Sequence, residues 1–257
     1  MKTDYPYQQL VLVGDSLIES SIETQDGFSF HAELQTYCNR YLDVVNRGLG
    51  GYNTAHVSKF LPKIIPPPTE SSPRIAYLFI LLGTNDACIP LPGTFQHVPL
   101  DEYKRNLKSI IEHPNVQAHD PTICLITPPP LNDIHYKELD TEWGYSEPSR
   151  RSETTALYAE KVRELAQEME GVVAIDLWQA MTDTAIAKTP QDYTPGGPWL
   201  GTVENGKEGG LRALLHDSLH LSGEGFRVLY DIILPHIHLP KERVFPMWTD
   251  FDPRHRV

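Results

Sequence analysis

Five short runs, at residues 10–13, 43–45, 75–82, 123–126 and 172–175, are dense in Val, Ile and Leu and do not alternate with polar residues. A strand with one wet face alternates. A strand buried on both faces reads as a continuous apolar run, as in a parallel sheet covered by helices. Helical stripes fill the gaps. From 152 to 170, Tyr158, Val162, Leu165, Ala166 and Met169 share one side, Glu160, Arg163, Glu164, Gln167 and Glu168 lie on the other, and Gly171 ends the pattern. Leu100, Tyr103, Leu107, Ile110 and Ile111 form a second stripe before Pro114, and Phe226, Leu229, Ile232 and Ile233 a third before Pro235. Strand and helix in alternation imply right-handed crossovers and an α/β fold, a three-layer α/β/α sandwich around a five-stranded parallel sheet. A chain of 257 residues fits this as a single domain, 1–257. Ligands of such sheets bind beyond the carboxyl ends of the strands.

Composition removes several classes of function. The formal charge is −12, from 34 acidic and 22 basic residues, and no Lys or Arg run offers a footprint for phosphates, which argues against nucleic acid. The longest apolar run, 75–82, falls far short of the ~20 residues that span a bilayer, and MKTDYPYQQL is not a basic end followed by an apolar stretch. Cys38, Cys88 and Cys124 are odd in number, far apart and set in apolar surroundings. They are expected to be buried thiols of a cytoplasmic protein, neither disulfides nor nucleophiles. Two stretches break the strand–helix rhythm: 128–151, which opens on three prolines, and 189–211, rich in Gly and Pro. Both are expected to be long loops walling the site. From about 239 an irregular tail carries Phe245, Met247, Trp248 and Phe251, which either pack along the domain or meet a partner such as a second copy of the chain.

Four blocks could carry chemistry. In VLVGDSLIES, Ser16 follows the first strand directly, where a serine can face the cleft, although Gly-Asp-Ser is also a common turn triplet. The nucleophile elbow G-x-S-x-G is absent, because Ile18 stands where its second Gly would be. In HDSLHLSGEGF, Asp217 and His220 are spaced so that one turn brings the carboxylate to Nδ1–H and leaves Nε2 free for a serine proton; Ser222 behind them reads as the N-cap of the last helix. Asp-x-x-His occurs twice, the second time from Asp252 to His255 in the tail across Pro253, so the spacing alone does not single out the first pair. NRGLGGYNT has Gly48, Gly50 and Gly51, any of which lets a backbone N–H approach a ligand. It is not a dinucleotide fingerprint, since Asn53 occupies the third glycine position. LLGTNDA closes the most apolar strand, and the Asn85 amide there can donate into the cleft or form a turn.

As an ordered set, GDSL, NRGLGGYNT, GTND and DSLH resemble the SGNH, or GDSL, hydrolases over most of the chain. The NRG-x-x-GYNT block, the Pro128–Pro129–Pro130–Leu131 run and the Asp-x-Leu-His-Leu-Ser ending are similar to the isoamyl acetate-hydrolysing esterase group. The resemblance implies a flavodoxin-like sheet. It also implies Ser16 as nucleophile, His220 as general base then acid, Asp217 as its orienting carboxylate, and the Ser16 N–H, Gly51 N–H and Asn85 amide as an oxyanion hole. Where relatives often carry Gly after the aspartate this chain has Ser218, with little consequence expected.

The implied activity is serine esterase chemistry on short-chain, acetate-like esters of small alcohols. No metal or organic cofactor is called for, and His236 and His238 lack an evident set of ligand partners. The alternatives are a carbohydrate deacetylase, a lysophospholipase or thioesterase on the same site, and a flavodoxin-like binding module without catalysis.

Overall fold

The structure, a computed structural model, describes residues 7–251. Along the chain run β1 (Gln8–Gly14), α1 (Ser16–Glu19), α2 (Phe30–Cys38), β2 (Leu42–Gly48), α3 (Thr54–Ile64), β3 (Ile75–Leu81), α4 (Leu100–Ile111), α5 (Pro114–His119) and β4 (Thr122–Ile126). Then come α6 (Asp133–Glu142), α7 (Ser152–Glu168), β5 (Val172–Ile175), α8 (Leu177–Lys188), α9 (Leu211–Leu214) and α10 (Gly223–Ile233). The five strands are all parallel, in the order β2-β1-β3-β4-β5. This is the doubly wound order in which the connections leave β1 in one direction and β3 in the other, opening a crevice at their carboxyl ends.

Side chains alternate across a strand, and here both alternating sets are apolar. Leu10 and Leu12 of β1, Phe79 and Leu81 of β3 and Cys124 and Ile126 of β4 face a core closed by α2, α8 and α10. Val11 and Val13, Leu78 and Ile80, Ile123 and Leu125 face a second core under α3, α4 and α7. The expectation of full burial holds for β1, β3 and β4. It needs correction at the edges: β2 and β5 are only partly buried, because an edge strand has a neighbour on one side only.

Residues 128–151 are not a plain loop. Behind the prolines, Asn132 caps α6 by accepting from the His135 N–H at 3.3 Å. Residues 189–211 hold a short 3-10 turn and α9's first residue but are otherwise irregular, and they pack on the α6 segment. The Ile134 N–H donates to the Gly201 carbonyl at 3.2 Å, and Asn132 Nδ2 donates to Glu208 at 2.6 Å. Part of the tail lies on the domain: the Val244 N–H donates to the Arg40 carbonyl, and Arg40 donates to the Pro246 carbonyl at 2.5 Å, while Trp248 and Phe251 are exposed. Asp252 and His255 lie outside the described residues. The three cysteines are buried free thiols, and burial pushes Cys38 up to about 11 and Cys124 to about 12, far from a reactive thiolate. Among the described residues, no helix is long and apolar enough to cross a membrane.

Candidate active site

Ser16 opens α1, separated from the end of β1 at Gly14 by Asp15 alone. Asp15 caps this one-turn helix, its Oδ1 accepting from the Leu17 N–H at 2.9 Å. Leu17 and Ile18 are fully buried, worth roughly 1.5–3 kcal/mol each by ordinary side-chain burial, so the turn is pinned to the core while Ser16 stays half-exposed. The carboxyl end of β2 and the residue after it hold the same turn from the side. Asn46 Nδ2 donates to the Ile18 carbonyl at 2.6 Å, its Oδ1 accepts from the Gly48 N–H at 2.7 Å, and the Leu49 N–H donates to the Gly14 carbonyl at 2.9 Å. Gly48 has to be glycine, because a Cβ there would stand 2.0 Å from the Glu19 nitrogen. Gly51 has φ +76°, a conformation open to glycine, and faces unfilled space apart from Gln96 Nε2.

His220 arrives from the other end of the chain. The loop carrying it is closed by an antiparallel bridge from Leu215 to Leu221, and Ser222 caps α10 as expected, accepting from the Gly225 N–H at 3.2 Å. His220 Nε2 lies 2.9 Å from Ser16 Oγ, and Nδ1 lies 2.7 Å from Asp217 Oδ2. Asp217 Oδ1 accepts from the backbone N–H groups of Leu219 at 3.0 Å and His220 at 2.8 Å. Burial alone pushes the Asp217 carboxyl up, but the imidazole bond and these two donors outweigh it and hold it well below the usual carboxylate range. An ionised carboxylate only accepts, so Nδ1 carries its proton and Nε2 of the neutral ring is left to accept from the serine hydroxyl. The same bond from Asp217, opposed by desolvation, raises the His220 pKa above its ordinary value.

Asn85, past the end of β3, is buried, and its Nδ2 donates to the Tyr52 carbonyl at 2.8 Å. An amide nitrogen has two hydrogens, so one remains to donate. Among the described residues, no acceptor is found within the protein for the Ser16 or Gly51 N–H. The structure therefore brings Ser16, His220 and Asp217 into one hydrogen-bonded line and ties the Gly51 and Asn85 loops together through Tyr52.

Beneath them sit two buried carboxyls that the motifs did not mark as unusual. Burial pushes Asp15 up to about 6 and Asp86 to about 7, and one oxygen of each is without a partner among the described residues. Asp86 Oδ1 accepts from Thr54 N–H at 3.0 Å and from the Thr54 hydroxyl, joining the loop after β3 to the start of α3. Ser218, for which little consequence is expected, sits in an unusual conformation. Its φ is +92°, a region that favours glycine, and its hydroxyl is buried with no partner among the described residues.

Asn46, Gln96 and Arg150 escaped the sequence reading. Asn46 was visible only as part of a block, and Gln96 and Arg150 belong to none. His216, Asp217 and His220 each bring one ligand atom within 4.8 Å of the others, a set that could hold a cation only by competing with the hydrogen bond between Asp217 and His220.

The GDSL-like Lipase/Acylhydrolase family profile matches residues 12–228. A GDSL esterase/lipase of Arabidopsis thaliana is 32% identical over 228 residues, covering 87% of this chain and 82% of its own length. An isoamyl acetate-hydrolyzing esterase 1 homolog of Homo sapiens is 29% identical over 95% of this chain and 88% of its own. Among solved structures, an acetylxylan esterase from Geobacillus stearothermophilus superposes with a TM-score of 0.58 at 21% identity, covering 91% of this chain and 94% of its own, a likeness of fold.

Proposed function

This chain belongs to the GDSL-like lipase/acylhydrolase family and is a carboxylic ester hydrolase, and we propose that it cleaves short-chain, acetate-like esters of small alcohols through an acyl-enzyme on Ser16. The observation that carries this is the unbroken line from Ser16 Oγ to His220 at 2.9 Å and on to Asp217 at 2.7 Å. His220 takes the hydroxyl proton as Oγ attacks the ester carbonyl, and Asp217 holds the ring and stabilises the imidazolium. The Ser16 N–H, Gly51 N–H and remaining Asn85 N–H donate to the tetrahedral oxyanion. His220 then protonates the departing alcohol, and water repeats the sequence on the acyl-enzyme. Every proton moved is accounted for by His220, so the cycle calls for no metal or organic cofactor.

The acyl preference is supported by the isoamyl acetate-hydrolyzing name of the human relative. The three buried free thiols fit a reducing compartment and support a cytoplasmic setting. Ser16→Ala should remove the acylation burst on p-nitrophenyl acetate and lower kcat by about 10⁴-fold or more, as loss of such a nucleophile does. A folded Ser16→Ala enzyme with an intact burst would refute the mechanism.

One observation favours a carbohydrate deacetylase. A cavity of about 350 Å³, lined among others by Asn132, His135, Glu138, Glu208 and Arg212, shares His216 and Ser218 with the His220 loop. Such a polar lining suits a hydroxyl-rich alcohol. Rates on isoamyl acetate, acetylated xylo-oligosaccharides and p-nitrophenyl esters of increasing acyl length separate the readings. Preference for the sugar esters selects the deacetylase, and a steady rise toward long acyl chains selects a lysophospholipase or thioesterase.

A further inference from the structure

Arg150 lies in the segment between α6 and α7, and its side chain is buried. Its guanidinium makes no ion pair among the described residues. It donates instead to four neutral acceptors from three distant segments: Tyr136 Oη from Nε at 3.1 Å, the Thr84 carbonyl from Nη1, and Asn85 Oδ1 at 3.0 Å and Gln96 Oε1 at 2.8 Å from Nη2. A buried cation without a carboxylate partner is costly, and the desolvation is offset only if every donor finds good acceptors.

Two of those acceptors lead to the proposed oxyanion donors. A guanidinium can only donate, so the end of Asn85 facing Arg150 is the carbonyl oxygen, and the amide nitrogen is forced to the other side, where it meets the Tyr52 carbonyl. Without the guanidinium, an Asn amide can turn end for end at little cost and present an acceptor where a donor is needed. The Gln96 amide is fixed by the same logic. Its oxygen accepts from Arg150, and its Nε2 donates to the Gly51 carbonyl at 3.0 Å. Gly51, at φ +76° and without a side chain, has no steric preference of its own, so a hold on its carbonyl limits its backbone. Asn53 Nδ2 closes the loop by donating to the Gln96 carbonyl at 2.8 Å.

We infer that Arg150 is the positioning residue of the oxyanion hole, clasping Asn85 directly and Gly51 through Gln96 so that both present N–H groups to the developing charge. The inference rests on the reading of Asn85 and Gly51 as oxyanion donors. In this role Arg150 acts through Asn85 and Gln96. It polarises the Asn85 carbonyl, which strengthens the N–H at the other end of the amide, and it holds donors within the few tenths of an ångström that preorganised stabilisation requires.

The test compares wild type, Arg150→Met, Arg150→Lys, Asn85→Ala and the Arg150→Met/Asn85→Ala double variant on p-nitrophenyl acetate. Arg150→Met should lower kcat by roughly 10- to 100-fold with KM within a few-fold of wild type, since displaced groups cost about that much. Arg150→Lys keeps the charge but not the fork and should recover part of the loss. In the double variant the losses should fall well short of multiplying, because both changes disable the same donor. The pH profile supplies a readout that a purely structural role would not move. The His220 ring is faced by Asp217 and His216 of its own loop, Asp15 of the nucleophile turn and the Arg150 charge, and only the last of these opposes its protonation electrostatically from outside that loop. Removing Arg150 should therefore shift the acid limb of kcat/KM to higher pH.

If Asn85→Ala is slow but Arg150→Met keeps wild-type kcat, or if the two losses multiply fully, the positioning role is wrong and the oxyanion reading stands. If Asn85→Ala is as fast as wild type, the oxyanion reading fails and takes this one with it. Should Arg150→Met not fold, Arg150→Lys and Gln96→Met decide: reduced kcat at unchanged KM in both supports the role, and wild-type kcat in either overturns it.

Discussion

Two aspartates flank the hydrogen-bonded Ser16–His220 pair, and they occupy opposite environments. Asp15 precedes Ser16, is 1% exposed, receives one backbone N–H and keeps an oxygen without a partner among the described residues. Asp217 precedes His220 by three, has a side chain 38% exposed and receives two backbone N–H groups and the imidazole. Burial wins at Asp15 and lifts its pKa to about 6; donors win at Asp217 and depress it. Residue type alone thus says little about which carboxylate can serve as an anion beside a histidine. The number of donors aimed at each oxygen decides.

The sharpest way to break this comparison is to neutralise each carboxyl. Asp217→Asn should cost about 10⁴-fold in kcat by releasing the ring tautomer, whereas Asp15→Asn should stay within about tenfold of wild type on p-nitrophenyl acetate. Comparable losses from both would mean that Asp15 shares the work of Asp217. Next in size is Asn85→Ala, expected to lower kcat by about 10²–10³ if its amide stabilises the oxyanion.

Stability should separate the two aspartates by sign. Asp15 has a folded pKa of about 6, above an unfolded value of ~4, so its contribution is fully present below pH ~4 and is lost as pH rises through about 6. Asp15→Asn should therefore gain in melting temperature relative to wild type between pH 4 and 7. Asp217 is depressed, so its contribution is present above pH ~4 and is lost as pH falls toward its folded value. Asp217→Asn should lose ground to wild type as pH rises from 3 to 5, hold level to pH ~6, and regain part of it as pH rises through the raised His220 pKa, where the ion pair is lost. Thermal melts of the three proteins across this range check both signs, and parallel curves would contradict them. The smallest effect belongs to Ser218→Gly, which relieves the backbone at φ +92° and should stabilise by about 1 kcal/mol in urea unfolding.

Strands were the most legible elements, because an unbroken Val/Ile/Leu run has few homes other than a sheet covered on both faces. The central strands β1, β3 and β4 match that reading, and the edges β2 and β5 miss it where one neighbour is lacking. The long stripes of α4, α7 and α10 were equally plain. Helix α3 was hidden by Pro62 within it, and α6 by the prolines before it and by a sequence with little apolar periodicity. Among the candidate site residues, Ser16, Gly51, Asn85, Asp217 and His220 were reachable because each sits in a short block whose order along the chain is itself a pattern. Arg150 was not, since its two amide partners lie 65 and 54 residues away and nothing in Ser149–Arg150–Arg151–Ser152 marks one arginine as buried.

By itself the sequence determined the layers, the strand ends at which chemistry can gather, and the candidates for it, because periodicity and backbone punctuation are local properties written residue by residue. Only the tertiary structure decided that Ser16 and His220, 204 residues apart, stand 2.9 Å from one another. It likewise decided that Asp217, with more donors aimed at it, stays ionised to far lower pH than Asp15, and that a buried arginine faces the carbonyl end of Asn85. Those outcomes depend on desolvation and on donor geometry, quantities that exist only once distant segments have packed.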